Sequence, residues 1–141
     1  MKRYVIDASV AAQWLLPEPN SREALTLIAR GVERIVPDLL HAEIGNILWK
    51  RTRSGDLSRE QAEEALRKLG SIPLTICPVA EIMDLSLSIA TEYDRSFYDS
   101  AHIALAVRER AVLLTADLKL VRSLGNTPLR QSILDISNLA R

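Results

Sequence analysis

The sequence predicts an α/β fold with a mainly parallel sheet of about five strands and helices on both faces. Short apolar runs alternate along the chain with longer segments of helical periodicity, as in successive strand–helix units. The apolar runs are rich in β-branched residues, which is typical of strands buried inside a parallel sheet. The 141 residues contain no internal repeat or linker, so we expect one domain over residues 1–141.

Each expected strand is a short apolar run that ends at a turn residue, a proline or an acid. The pattern predicts strands at residues 4–6, 33–36, 74–77, 111–115 and 131–136. The run at 111–115 is the most continuous, and the run at 131–136 is the weakest of the five patterns. Single strands separated by helices favour parallel pairing over hairpins.

Capping residues and helix breakers define the expected helices. The segments 20–23 and 58–61 are spaced as capping boxes, Asn with Glu and Ser with Gln. Asp38, Ser96 and Asp117 stand where the N-caps of further helices are expected. The expected helices are 9–16, 20–30, 39–53, 59–70, 80–92, 97–109 and 118–124.

Composition excludes several kinds of site. Lys and Arg total 18 and Asp and Glu total 18, so the bulk charge gives no support for tight nucleic-acid or membrane binding. The single cysteine, Cys77, excludes an intrachain disulfide and is expected to be a small buried side chain. The N-terminus lacks the apolar stretch of a signal peptide, and no run approaches the roughly 18–20 apolar residues that span a bilayer. We therefore expect a cytoplasmic protein.

Four acids are expected to meet at one edge of the sheet. Asp7 and Asp117 follow apolar strands. Asp99 lies in the first turn of one helix and Glu43 in the second turn of another, and both helices begin near the same edge. Sites in open parallel sheets lie at the carboxyl ends of the strands. Each of these acids also has an alternative interpretation without a functional role. Acids are common as helix caps, which is the alternative for Asp7, Asp99 and Asp117. Glu43 lies beside an apolar stripe, and its alternative is an ion pair with Arg or Lys.

Clustered carboxylates repel one another, and a divalent cation removes that repulsion. Oxygen ligands suit Mg²⁺ or Mn²⁺, and carboxylate-held pairs of such ions support in-line displacement at a phosphodiester. The residues alone thus predict an acidic divalent-metal site that acts on phosphate. A phosphate-acceptor domain is disfavoured because the first strand offers one acid, and dinucleotide binding is disfavoured because no glycine-rich fingerprint follows a strand.

The chain resembles the PIN-domain ribonucleases, specifically the VapC-type toxins of toxin–antitoxin modules. The segments that carry the resemblance are 5–9 (VIDAS), 36–39 (VPDL), 42–46 (AEIGN), 98–106 (YDSAHIALA) and 114–117 (LTAD). Each segment alone is weakly specific, but their order, spacing and strand–helix context together are specific, and they extend over nearly the whole chain. The resemblance implies a PIN-like fold with a five-stranded parallel sheet.

The resemblance also implies a metal-dependent endoribonuclease with an Mg²⁺ or Mn²⁺ site. Asp7 and Asp99 would be direct metal ligands, and Glu43 would ligate a metal or orient its water. Asp117 would support a second metal or act through water. The implied partners are an RNA substrate, a cognate antitoxin and a second copy of the chain in a homodimer, with no membrane. The alternative is a non-catalytic or differently specific PIN-like protein that binds metal and a protein partner.

The supporting residues follow from the same resemblance. Ser9 and Thr115 match small hydroxyl positions that hold acids or waters, and Asn46 matches a polar position near the acid of the long helix. Ser100 stands where Ala is usual and His102 where an aromatic residue is common, and neither is expected to touch an acid. His102 is expected to be a packed helix residue, although its position three residues after Asp99 would also let it reach the site.

Basic and aromatic residues give a weaker indication. Arg95 and Lys119 lie closest in sequence to the acids and are the first candidates for an RNA-facing surface. The basic residues at 50–53 are interpreted as favourable charge at a helix C-terminus. Trp14 and Trp49 have apolar neighbours on their helices, so core or partner-facing packing is favoured over base stacking.

Overall fold

The computed structural model describes residues 1–139. Within that range, five strands form one parallel sheet in the order β3-β2-β1-β4-β5. The strands are β1 (Lys2–Ile6), β2 (Val32–Pro37), β3 (Thr75–Cys77), β4 (Val112–Thr115) and β5 (Ile133–Asp135). The predicted α/β class and parallel sheet are confirmed, and the weakest sequence pattern, at 131–136, contains the edge strand β5.

Helices connect the strands and lie on both faces of the sheet. They are α1 (Ala8–Leu15), α2 (Ser21–Thr26), α3 (Leu39–Arg53), α4 (Arg59–Gly70), α5 (Met83–Tyr93), α6 (Phe97–Glu109) and α7 (Leu118–Ser123). Short 3₁₀ turns occupy Val79–Ile82, Pro128–Ser132 and Ile136–Asn138. Across residues 1–139, we find no helix with the length and apolar character needed to cross a membrane.

Consecutive strand residues are buried on opposite faces of the sheet. Ile6 and Leu114 pack with α1, α3 and α4, whereas Val5 and Leu113 pack with α5, α6 and α7. All four side chains are fully buried, as expected for strands covered on both sides. The burial of α6 from Ser100 to Ala106 holds its N-terminal turn at the carboxyl edge of the sheet.

The second helix is shorter than predicted. It ends at Thr26 instead of near residue 30, and the expected cap, Asn20, adopts a left-handed conformation (φ 67°) with no side-chain capping bond. The carbonyl of Ala24 accepts a hydrogen bond from the Trp14 indole at 2.8 Å, and that of Leu27 accepts one from Arg34 at 2.8 Å. Side chains distant in sequence therefore donate hydrogen bonds to carbonyl groups in and just after the last turn of α2. Because the Asn20 side chain makes no capping bond, the capping box predicted at residues 20–23 was wrong.

The other predicted caps divide into confirmed and corrected cases. Ser58 and Gln61 form the expected capping box, and Ser96 and Asp117 cap α6 and α7. Asp38 makes no capping bond to α3; its carboxylate accepts the N–H of Val79 at 3.0 Å instead. That bond joins the start of α3 to the segment after β3, a contact between residues distant in sequence.

Candidate active site

The parallel pairing of β1 with β4 brings two strand-end acids to one edge. Ile6 is paired with Leu114, and the N–H of Asp7 donates to the carbonyl of Leu114 at 3.1 Å. Asp7 therefore lies beside the end of β4, and Asp117, two residues after that end, is the N-cap of α7. The carboxyl edge of the sheet thus gathers these acids, as the sequence predicted.

The Asp7 carboxylate is held by side-chain and backbone donors. Its Oδ1 accepts the N–H of Ala8 at 2.9 Å, and its Oδ2 accepts the hydroxyls of Ser9 at 2.8 Å and Thr115 at 2.7 Å. The residue is 8% exposed. Asp7 therefore caps α1, as the capping alternative predicted, and its carboxylate also lies among the acids at this edge.

Ser9 and Thr115 join the ends of β1 and β4 through their hydroxyl groups. Besides donating to Asp7, Ser9 Oγ accepts the N–H of Ala116 at 3.0 Å and Thr115 Oγ1 accepts the N–H of Asp117 at 3.1 Å. Each hydroxyl donates its proton to the Asp7 carboxylate and accepts a backbone N–H through a lone pair. Both predicted supporting residues thus lie where they orient the acid of β1.

Glu43 and His102 form a contact that the sequence interpretation missed. The Nε2 atom of His102 lies 2.7 Å from Glu43 Oε1 and 3.7 Å from Asp7 Oδ1. The expectation that His102 is a packing residue away from the acids was therefore wrong, although the residue is indeed buried, at 1% exposure. The partner of Glu43 is thus a histidine, and no Arg or Lys among residues 1–139 forms an ion pair with it.

Opposing effects act on the pKa of His102. Burial lowers the pKa, but the hydrogen bond to Glu43 and the negative charges of Asp7, Glu43 and Asp99 outweigh burial and raise it above the ordinary value. The carboxylates around His102 therefore favour its protonated form more than water would. Its spacing of three residues from Asp99 on α6 was the signal in the sequence.

Asp99 carries the least compensated charge at this edge. Its N–H donates to the cap Ser96 at 3.1 Å, but no donor among residues 1–139 reaches its carboxylate. Burial raises the pKa of Asp99, and the charges of Asp7, Asp117 and Glu43 raise it further, against the opposing effect of His102. The capping-box alternative for this carboxylate is therefore not realised.

Asp117 is the most exposed of the four acids. Its Oδ1 accepts the N–H of Leu120 at 3.1 Å, so the capping role on α7 is present. Its charge nevertheless contributes to the raised pKa of Asp99. Asn46, also exposed, lines a surface pocket of about 540 Å³ together with Glu43 and Asp99.

The acidic residues suit a hydrated divalent cation more than an enclosed one. Among residues 1–139, no three His, Cys, Asp or Glu side chains are grouped closely enough to form a complete metal cage. Mg²⁺ keeps several waters and commonly binds proteins through one or two carboxylates. Burial first, and then the like charges of Asp7, Asp117 and Glu43, raise the pKa of Asp99. A bound cation would relieve that repulsion.

Comparison with known proteins agrees with this architecture. Residues 4–123 match the model of the PIN domain family. The chain is 32% identical over 120 residues to ribonuclease VapC3 of Pyrobaculum aerophilum, covering 84% of this chain and 92% of that protein. It is 33% identical over 117 residues to ribonuclease VapC9 of Mycobacterium tuberculosis, covering 82% and 87%. The chain therefore belongs to the PIN-domain family, among the VapC ribonucleases.

Solved structures share the fold at lower sequence identity. A chain of the VapBC2 structure from Rickettsia felis, bound to a DNA fragment from its promoter, has a TM-score of 0.70 and 18% identity, covering 94% of this chain and 98% of that chain. A toxin–antitoxin complex from Klebsiella pneumoniae gives a TM-score of 0.65 and 16% identity, covering 94% and 97%. The PIN-like fold expected from the sequence is thereby confirmed.

Proposed function

We propose that this chain is a divalent-metal-dependent endoribonuclease that cuts RNA phosphodiester bonds as the toxin of a toxin–antitoxin pair. The observation that carries the proposal is the meeting of Asp7, Glu43, Asp99 and Asp117 at the carboxyl edge of the sheet, where burial and then the charges of the other three acids raise the pKa of Asp99. Relatives that align over most of the chain are named ribonucleases.

Asp7 and Asp99 are the residues that would hold Mg²⁺ or Mn²⁺. Glu43 would bind the ion or one of its waters, and Asp117 would support a second ion or act through water. Such ions, when bound, activate a water for attack and stabilise the leaving oxygen of a phosphodiester. Ser9 and Thr115 orient Asp7 through their hydroxyls, and Asn46 offers an amide beside Glu43.

His102 holds Glu43 in place through the 2.7 Å contact between Nε2 and Oε1. The carboxylates raise the pKa of this buried imidazole, and its protonated form would offset part of the acidic charge before a cation binds. His102 is therefore a positioning residue: it acts through Glu43 and does not itself reach the pocket, because it is 1% exposed.

The partners follow from the relatives and from the surface. Structures that share the fold are toxin–antitoxin complexes, which supports an antitoxin as the protein partner of this chain. Exposed apolar side chains on α5, Met83 at 47% and Leu87 at 58%, support a homodimer face. We assign the whole of residues 1–141 to one PIN domain that acts in the cytoplasm.

The decisive experiment is cleavage of total RNA by the purified protein with Mg²⁺, with Mn²⁺ and with EDTA. Discrete fragments that require metal and disappear in Asp7→Asn are expected. Asp94→Asn is the matched control, because Asp94 is an exposed acid at the end of α5. Absence of cleavage by folded, metal-binding protein would favour the alternative, a PIN-like protein without this activity.

A further inference from the structure

A pocket adjoins the carboxylates and opens toward one face of α3. It is lined by Ala42 and Asn46 of α3 and by Tyr98 of α6, next to Glu43 and Asp99. The Tyr98 side chain is an exposed aromatic group, with 63% of the residue accessible. The pocket therefore offers an aromatic ring and an amide directly beside the proposed site of cleavage.

The same face of α3 continues from the pocket toward the C-terminus of the helix. Residues 42, 46, 49 and 53 follow the spacing i, i+4, i+7 and i+11, which places them on one side of a helix, and all are exposed. We call residues 42, 46, 49 and 53 the α3 stripe. It leads from the carboxylates to an exposed aromatic–cation pair.

That pair is Trp49 with Arg53. The indole is 53% exposed, and the Arg53 Cζ lies 4.6 Å from the ring centroid. Trp49 is therefore not a core residue, in contrast to Trp14, which is buried and donates its indole N–H to the carbonyl of Ala24. A large exposed indole that carries a guanidinium is a stacking surface with positive charge.

The charge at this end of α3 is positive. Lys50, Arg51 and Arg53 lie in the last turn of the helix. Arg51 forms an ion pair with Glu18, whereas no carboxylate among residues 1–139 pairs with Lys50 or Arg53. Cationic groups near an exposed aromatic ring complement the phosphates and bases of a single strand.

We propose that the α3 stripe binds the single-stranded RNA substrate on one side of the cleavage site. The base next to the cut phosphate enters the Tyr98–Asn46 pocket, a base further along stacks on Trp49, and Arg53 and Lys50 face the phosphates. Glu43 and Trp49 are six residues apart, about 9 Å along a helix, which equals roughly three stacked nucleotides. This inference rests on the proposed ribonuclease function and names a substrate subsite for it.

The binding test uses the fluorescence of Trp49. The chain has two tryptophans, and Trp14 is buried, so contact with RNA at the stripe changes the emission of Trp49. A single-stranded oligonucleotide is titrated into the Asp7→Asn protein with Mg²⁺, and quenching is expected. Trp49→Phe in the same background loses the quench yet retains binding by anisotropy, and Trp49→Ala weakens binding about tenfold. Arg53→Gln also weakens it, whereas Arg59→Gln on α4 does not.

The cleavage test separates this inference from the proposed function. In the protein with an intact Asp7, Trp49→Ala is expected to raise KM for a long single strand about tenfold while leaving a trinucleotide unaffected. If the wild-type protein cleaves no RNA, the proposed function is wrong. The binding test would still show whether the α3 stripe binds RNA. The stripe proposal is overturned by unchanged RNA binding and cleavage in Trp49→Ala. It is equally overturned if Trp49→Ala alters only the oligomeric state or antitoxin binding.

Discussion

The imidazole Nε2 of His102 lies 2.7 Å from Oε1 of Glu43, so a fully buried residue of α6 holds an acid of α3 at the mouth of the site. The two residues are 59 positions apart in sequence. Through this contact, the packing of α6 on the sheet determines where the Glu43 carboxylate stands. Groups that orient metal-binding side chains commonly contribute 10–100-fold to affinity or activity.

Replacing His102 by Phe is expected to lower RNA cleavage about tenfold. The phenyl ring fills the buried space but donates no hydrogen bond, so Glu43 loses its orientation. The measurement is the single-turnover cleavage rate as a function of Mg²⁺ concentration, with the half-saturating concentration expected to rise. His41→Phe, on the exposed side of α3, is the control. Equal metal dependence in His102→Phe and wild type would contradict the positioning role.

Asp99→Asn is expected to remove activity and to stabilise the metal-free protein. The pKa of Asp99 is raised by burial and by the charges of Asp7, Asp117 and Glu43, so its ionised form opposes folding. Each kcal/mol gained shifts Tm by roughly 3 °C in a chain of this size. Thermal melts in EDTA should show a higher Tm for Asp99→Asn than for wild type. A lower Tm would indicate that this carboxylate stabilises the fold.

Thr115→Val is expected to reduce cleavage roughly 10–100-fold. Valine keeps the shape of threonine but removes both the donor to Asp7 and the acceptor for the N–H of Asp117. Thr115→Ser restores the hydroxyl and should restore most of the rate. Circular dichroism separates this effect from unfolding. A valine variant with the wild-type rate would exclude the hydroxyl from orienting Asp7.

Magnesium is expected to stabilise the protein more at about pH 8 than at about pH 5.5. The folded-state pKa of His102 is raised, so its stabilising contribution is complete below about pH 6.5 and is lost as the pH rises through the raised value. Asp99, whose pKa is also raised, opposes folding increasingly from about pH 3.9 upward. Both effects destabilise the folded protein most at high pH, where His102 and Asp99 have lost their protons. A bound cation then offsets the most charge repulsion.

Calorimetry with and without Mg²⁺ at the two pH values measures this difference directly. Asp99→Asn, which removes one of the interacting charges, should diminish the additional stabilisation at the higher pH. An increase in Tm that is the same at both pH values, or that persists in Asp99→Asn, would show that Mg²⁺ acts elsewhere on the protein.

The sequence predicted the elements and the strand-end acids well, because these depend on local patterns. The run 111–115 ends close to Asp117. Because this strand is parallel to the strand before Asp7, both acids lie at the same edge of the sheet. The predicted helix 20–30 was too long because the tertiary donors Trp14 and Arg34 take carbonyls near its end. Local capping patterns contain no information about such distant donors.

By itself, then, the sequence determined the parallel α/β fold, the approximate bounds of its strands and helices, and the set of acids at one edge. Hydrophobic periodicity and strand direction suffice for these properties, since both are local. Only the tertiary structure decided that His102 holds Glu43, that Asp38 binds Val79, and that Trp49 remains exposed beside Arg53. These contacts depend on how helices pack across the sheet, because burial and side-chain partners are properties of the assembled layers.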